Sequence, residues 1–207
     1  MIIKICGITD LNILEFCEKN HVDFFGMIFY NQSPRNITVN KAYELIKAAE
    51  NYNIKAVGVF VNKDIDNLIN IIKKINLKYV QLHGNEDQNY INLIKKKLNI
   101  KIIKKISIHN KDDFRLVNDY KNIDYFLFDY KPLKNELPGG NAKKFDWSLL
   151  KNLNIDKPWL LSGGINASNV NKIYKFAKPD GIDLSSGVEE SLGIKNVTMI
   201  KALLNNT

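Results

Sequence analysis

Residues 1–20 read MIIKICGITDLNILEFCEKN. The first third, Ile2–Cys6, is a short apolar run interrupted only by Lys4, the signature of a buried strand. Gly7 breaks it, and Asp10 stands where a helix N-cap belongs. Ile13, Leu14 and Cys17 then fall on one face of a helix ending near Asn20. Strand, loop and helix occupy twenty residues, and the remainder of the chain repeats the rhythm. Further strands are predicted at Phe24–Phe29, Ala56–Val61, Tyr79–His83, Lys101–Ile106, Tyr125–Asp129, Trp159–Ser162 and Gly181–Ser185. Helices are predicted at Asp10–Asn20, Asn40–Asn51, Asp64–Ile75, Glu86–Leu98, Lys111–Tyr120, Asp146–Leu150, Ser168–Lys175 and Ile194–Leu204.

Alternation of this kind means parallel strands joined by right-handed crossovers, an α/β fold. Strands rich in Ile, Val and Phe suit a sheet covered by helices. An open doubly wound sheet competes, but eight strand–helix units favour a single (β/α)8 TIM barrel over residues 1–207. No linker-like stretch, low-complexity tract or second composition marks another domain.

Composition narrows the function classes. The chain has 207 residues, 45% hydrophobic and 25% charged, an ordinary globular balance. No apolar run approaches the roughly 20 residues that cross a bilayer, and Lys4 interrupts the only N-terminal apolar stretch, so a cytoplasmic protein without membrane contact is expected. Two cysteines, Cys6 and Cys17, and three scattered histidines give no zinc-like spacing, and no metal is expected. Cys17 reads as core filler. The net charge of +8 and pI near 9.3 come from lysines spread over seven of the eight predicted helices. Aromatics are not interleaved with them, so nucleic acid is not expected as a partner.

In a barrel the active site lies at the C-terminal ends of the strands. SGGIN (Ser162–Asn166) and the SSG of Ser185–Gly187 end the last two predicted strands. Their glycines let backbone approach a ligand and aim N–H groups at an anion, a phosphate-site pattern, with Val188–Ser191 long enough for the short helix that often accompanies it. Cys6 and Asp129 end the first and sixth strands and would face the mouth together, a plausible base and acid. Dipoles of the phosphate site would favour the thiolate. Arg35, one of two arginines in a lysine-rich chain, offers a fork for a carboxylate. His83 shares parity with Gln81 and could touch ligand. Lys4 shares parity with Cys6, points into the barrel, and needs a buried partner. Asp183, on the strand that closes against the first, is the expected one.

KICGIT, SPRNI, VGVFVN, VQLHGNE, FLFDYK, FDWSLL, LSGGIN and DLSSGVE occur in order from residue 4 to about 190. Together they resemble the phosphoribosylanthranilate isomerase family. That resemblance implies a (β/α)8 barrel that converts N-(5-phosphoribosyl)anthranilate to 1-(2-carboxyphenylamino)-1-deoxyribulose 5-phosphate in tryptophan biosynthesis, an Amadori rearrangement without cofactor or metal. It implies Asp129 as general acid, Cys6 as general base and Arg35 at the anthranilate carboxylate. Gly163, Gly164, Ser185, Ser186 and Gly187 would cradle the phosphate, with Asp183 near the ribose hydroxyls. The partner would be a small phosphorylated substrate, the enzyme a monomer or homodimer. One departure stands out: GGNAKKFDW carries Asn141 and Ala142 where the family has a run of glycine and small residues, which bears on closure of that loop. Other readings are a different phosphosugar barrel, whose paired histidines and aspartates for metal are absent here, and a non-catalytic phosphate- or RNA-binding barrel using the basic charge.

Overall fold

The computed structural model describes residues 1–133, 135–140 and 143–207. Asn141 and Ala142, the departure from the family pattern, lie outside the described residues. Eight parallel strands form one closed barrel in chain order, β1 (Ile2–Cys6), β2 (Phe24–Ile28), β3 (Lys55–Phe60), β4 (Tyr79–Leu82), β5 (Lys101–Ile108), β6 (Tyr125–Tyr130), β7 (Trp159–Leu161) and β8 (Gly181–Leu184). The predicted architecture is therefore present, with strand ends shifted by one or two residues.

Five α-helices pack outside: α1 (Leu11–Lys19), α2 (Val39–Ala48), α3 (Ile65–Lys74), α4 (Gln88–Lys97) and α5 (Val197–Leu204). Each starts at a side-chain cap, Asp10, Thr38, Asp64, Asp87 and Asn196 in turn, which accepts from N–H groups of the first turn. The predicted helices at 111–120, 146–150 and 168–175 are instead 3-10 segments at Lys111–Asp119, Trp147–Leu150 and Val170–Lys175. A 3-10 turn stacks residues i and i+3. That suffices to bury Trp147 with Leu150 and Val170 with Ile173, the only buried residues of those two segments.

Two further boundaries are corrected. Glu86, expected to open a helix, lies before it. Its carboxylate accepts from the N–H groups of Asn62 (2.7 Å) and Gly84 (3.0 Å) and from Lys104 Nζ (3.0 Å). The chain after β8 makes no helix at 188–191. It turns once as 3-10 (Ser186–Val188) and then forms a hairpin, β9 (Glu189–Ser191) with β10 (Ile194–Lys195). Gly193 turns that hairpin at φ 86°, a conformation that disfavours a side chain. The last helix waits for the Asn196 cap and starts at Val197 rather than Ile194.

Strand parity sorts the side chains into two cores. Ile3 and Ile5 face the helices, while Ile2, Lys4 and Cys6 face the barrel interior with Phe24, Val57, Val59, Ile103, Leu127 and Leu160. β1 closes against β8 with Lys4 opposite Asp183. The two side chains meet there at 2.9 Å with Lys4 fully buried, as the sequence predicts. Burial disfavours the ammonium, but Asp183 and Cys6 outweigh it and the Lys4 pKa is raised. Gly26 of β2 makes room for this arrangement. A Cβ there would stand 2.8 Å from Cys6 Sγ and 3.1 Å from Lys4 Nζ.

Removing one partner of a buried ion pair strands the other charge. Lys4→Ala is expected to lower the unfolding free energy by roughly 3–5 kcal/mol, read from urea midpoints, whereas Lys4→Met with Asp183→Leu recovers most of the loss.

Candidate active site

β1, β4, β6 and β8 deliver the polar groups to one pocket at the C-terminal mouth. Cys6, Arg35, Gln81, His83, Asp129, Asp183 and Ser185 line it, against apolar walls from Ile28, Tyr30, Val59, Val61, Leu137 and Pro138. A second, contiguous pocket shares Asp129, Asp183 and Ser185, and is walled by Gly163, Gly164, Ser186, Gly187 and Lys143. The structure thus brings together all ten residues singled out from sequence.

Asp129 ends β6 and is 5% exposed. Its Oδ1 accepts from the Tyr130 N–H at 2.7 Å. Burial pushes its carboxyl up to about 7, against the pull of Lys105 and that N–H. A carboxyl with that affinity is partly protonated near neutrality and can donate. Gly163, at φ 91°, lies so close that a Cβ would sit 2.9 Å from Asp129 Oδ1. Glycine is required there both for the turn and for the approach.

His83 Nε2 stands 3.6 Å from Asp129 Oδ2, and Nδ1 lies 2.9 Å from Gln81 Nε2. With the Gln81 amide donating, the ring proton belongs on Nε2, facing the acid. Burial, with Lys105, Lys4 and Lys104 nearby, lowers the His83 pKa well below its usual value. The contact is therefore between a neutral imidazole and a carboxyl, and not an ion pair.

Cys6 is 5% exposed and shares the barrel interior with Lys4, two residues before it on β1. Burial raises its thiol pKa, offset in part by Lys4 and Lys195 and opposed by Asp183. The expected thiolate-favouring field is thus outweighed by desolvation in the unliganded site. Lys4 is the group placed to carry the compensating charge when the thiol ionises. Cys17, buried in α1 with its thiol pushed to about 12, belongs to the core as expected.

Arg35 is buried, and its fork is already filled. Nε and Nη2 each donate to Glu189 at 2.7 Å, Oε1 and Oε2 respectively. Nη1 donates to no carboxylate among the described residues and faces the Gly140 loop, where a Cβ would lie 2.4 Å from it. Lys195 Nζ donates to the same Glu189 (2.5 Å) and to Ser185 O (3.2 Å) and Oγ (3.3 Å). The Ser185 hydroxyl in turn donates to Cys6 O at 3.1 Å. Arg35, Lys195 and the Gly193 N–H help hold the Glu189 carboxylate down at about 2, although burial opposes them. Sequence reasoning missed Glu189 and Lys195, because their role depends on a hairpin with no strand-like signal. It also missed Lys105, whose parity with Ile103 on β5 marks it as inward-facing.

The glycine pocket supplies backbone donors. No hydrogen bond among the described residues occupies the N–H of Gly163, Gly164, Ser186 or Gly187. The 3-10 turn at Ser186–Val188 has no side-chain cap. Converging N–H groups of this kind suit an anion. The arrangement as a whole is a buried carboxyl and a buried thiol on one pocket, apolar on one side and lined with backbone N–H donors on the other.

Residues 3–206 match the model of the family described as N-(5'-phosphoribosyl)anthranilate (PRA) isomerase. N-(5'-phosphoribosyl)anthranilate isomerase from Paramagnetospirillum magneticum is 35% identical over 204 residues, covering 98% of this chain and 94% of that protein. The crystal structure of phosphoribosyl anthranilate isomerase from Thermotoga maritima superposes with a TM-score of 0.88 at 31% identity, covering 100% of this chain and 98% of that one. A phosphoribosyl anthranilate isomerase solved with reduced 1-(o-carboxyphenylamino)-1-deoxyribulose 5-phosphate superposes with a TM-score of 0.83 at 30% identity, with the same coverage.

The raised Asp129 carboxyl has a thermodynamic consequence. Its pKa is 3.8 when unperturbed and about 7 in the fold, so the folded state binds the extra proton between those values and stability falls as pH rises through that window. Asp129→Asn is expected to remove that fall. Urea unfolding at pH 8 should show the variant more stable than the parent chain by a few kcal/mol, with the difference shrinking towards pH 4.

Proposed function

The chain belongs to the N-(5'-phosphoribosyl)anthranilate isomerase family, and we propose that Asp129 and Cys6 are the acid and base with which it performs that family's reaction. It is an isomerase of tryptophan biosynthesis, converting N-(5-phosphoribosyl)anthranilate to 1-(2-carboxyphenylamino)-1-deoxyribulose 5-phosphate. The observation that carries the assignment is the juxtaposition of a buried carboxyl held near neutral pKa with a buried thiol, over a pocket that leads to a glycine cradle.

The phosphate takes the N–H groups of Gly163, Gly164, Ser186 and Gly187, beside the Ser185 hydroxyl. The anthranilate ring lies against Val59, Val61 and Pro138, and its carboxylate meets Arg35 through Nη1, the edge that Glu189 leaves open. The ribose then spans Cys6, Asp129 and Asp183. Protonated Asp129 gives its proton to the furanose ring oxygen. The C1–O bond breaks, and the nitrogen lone pair moves in to form an iminium. Cys6, as thiolate, removes the proton on C2, and the C–H electrons flow towards the iminium nitrogen to give an enolamine. Tautomerisation yields the ketone. The iminium brings positive charge next to a thiol whose ionisation burial otherwise opposes, and Lys4 supports the same ionisation. His83, neutral and hydrogen-bonded to Gln81, orients the acid and closes the pocket wall.

On this reading residues 1–207 are one catalytic domain whose partner is a small phosphorylated substrate. No helix among the described residues is long and apolar enough to cross a membrane. The enzyme works in the cytoplasm without nucleic acid, as a monomer or homodimer.

The test follows the fluorescence of phosphoribosylanthranilate as it is consumed. Asp129→Asn and Cys6→Ala, each folded by thermal melt, are expected to lose about 10²–10⁴-fold in kcat. Near-parental turnover by either variant overturns the role given to that residue.

A further inference from the structure

β5 carries a lysine that the reaction scheme leaves unused. Lys105 shares parity with Ile103, which faces the barrel interior, so its side chain also points inward, and it is only 6% exposed. Its ammonium donates to Ser107 Oγ at 2.8 Å. No carboxylate of the described residues makes an ion pair with it, whereas Lys4 and Lys104 each have one, Asp183 and Glu86. A buried cation satisfied by one hydroxyl is costly unless something nearby repays it.

The register says what is nearby. Ser107 pairs with Asp129 across β5 and β6, and Lys105 pairs with Leu127 two residues below. By reaching up to the Ser107 hydroxyl, the ammonium rises to the level of the acid. It also lines the same cavity as His83, whose Nε2 is 3.6 Å from Asp129.

We propose that Lys105 is a positioning residue for Asp129: its positive charge, fixed by Ser107, strengthens the acid by stabilising the carboxylate left after proton donation. The idea rests on Asp129 being the general acid. Among the groups facing Asp129, His83 on β4 is neutral, Lys4 on β1 is paired to Asp183 on β8, and Cys6 on β1 is a thiol. Lys143 lies beyond, beside Tyr130 and in contact with Glu136. Lys105 is thus the cation in this set that no carboxylate neutralises. The direction of its influence is consistent, since Lys105 pulls the Asp129 carboxyl down more strongly than any other group and Asp129 is the main charge supporting the lysine.

The experiment titrates Asp129 directly, by its carboxyl 13C resonance, identified by its loss in Asp129→Asn, in the parent chain, Lys105→Met and Lys105→Arg. Met removes a buried charge and fills similar space, a change that proteins tolerate. A thermal melt verifies folding. The carboxyl is expected to titrate about one pH unit higher in Lys105→Met and to return towards the parental value in Lys105→Arg. The Asp129 inflection in the pH profile of kcat/KM should move with it. An unmoved carboxyl titration in folded Lys105→Met overturns the proposal. A moved carboxyl with an unmoved kinetic inflection supports the coupling and counts instead against Asp129 as the acid, so the two readings fail separately.

Discussion

The ion pair between Lys4 and Asp183 joins the first strand to the last at the seam where the barrel closes. The interior above it is polar because of it. Lys4 holds Asp183 on one side and Cys6 on the other, and Gly26 gives up its side chain so that both fit. A thiol, a carboxylate and an ammonium therefore sit together under the pocket floor, with water largely excluded. Desolvation then governs three of the groups nearby. It lifts Cys6 and Asp129, lowers His83, and makes each remaining cation count for more than it would in solvent.

The mouth distributes roles by strand. Asp129 and Cys6 come from β6 and β1, and in the proposed reaction a ligand lying between them connects the two proton transfers. The glycine pocket comes from the loops after β7 and β8, where no hydrogen bond among the described residues takes the N–H groups of Gly163, Gly164, Ser186 and Gly187. On the far side, between the loops after β3 and β4, the equivalent backbone donors of Asn62 and Gly84 are already taken by the Glu86 carboxylate. The protein thus supplies its own anion at one position and leaves the other open.

Much of this was legible in the sequence because it follows from periodicity. The strand–helix rhythm gives the barrel, and parity puts Lys4, Cys6 and Asp183 inside it. The cap at Asp10 is visible as a single residue before a helical pattern. The hairpin at Glu189–Lys195 was not legible. Its strands are three and two residues long, below any periodic signal, and EES carries charge where a strand usually carries apolar residues. Arg35 was expected to offer its fork to a ligand carboxylate; the fork instead holds Glu189, a partner 154 residues away that local pattern could not pair with it. The 3-10 segments escaped because their buried pairs at i and i+3 fit either kind of turn. Direction and size of pKa shifts depend on burial, which strand ends alone do not report.

The hairpin after β8 binds two places at once. Glu189 grips Arg35 at one end of the pocket, and Lys195 grips both Glu189 and Ser185, which leads to the glycine cradle at the other. Through these contacts the guanidinium and the cradle are held at a fixed separation by one small clasp, much as the jaws of a caliper are held by its beam. In the proposed reaction, a ligand with anionic groups at both ends is measured before any chemistry begins. In that reaction, selectivity for molecules of the right length is thereby lodged in a clasp of four residues, Arg35, Glu189, Lys195 and Ser185.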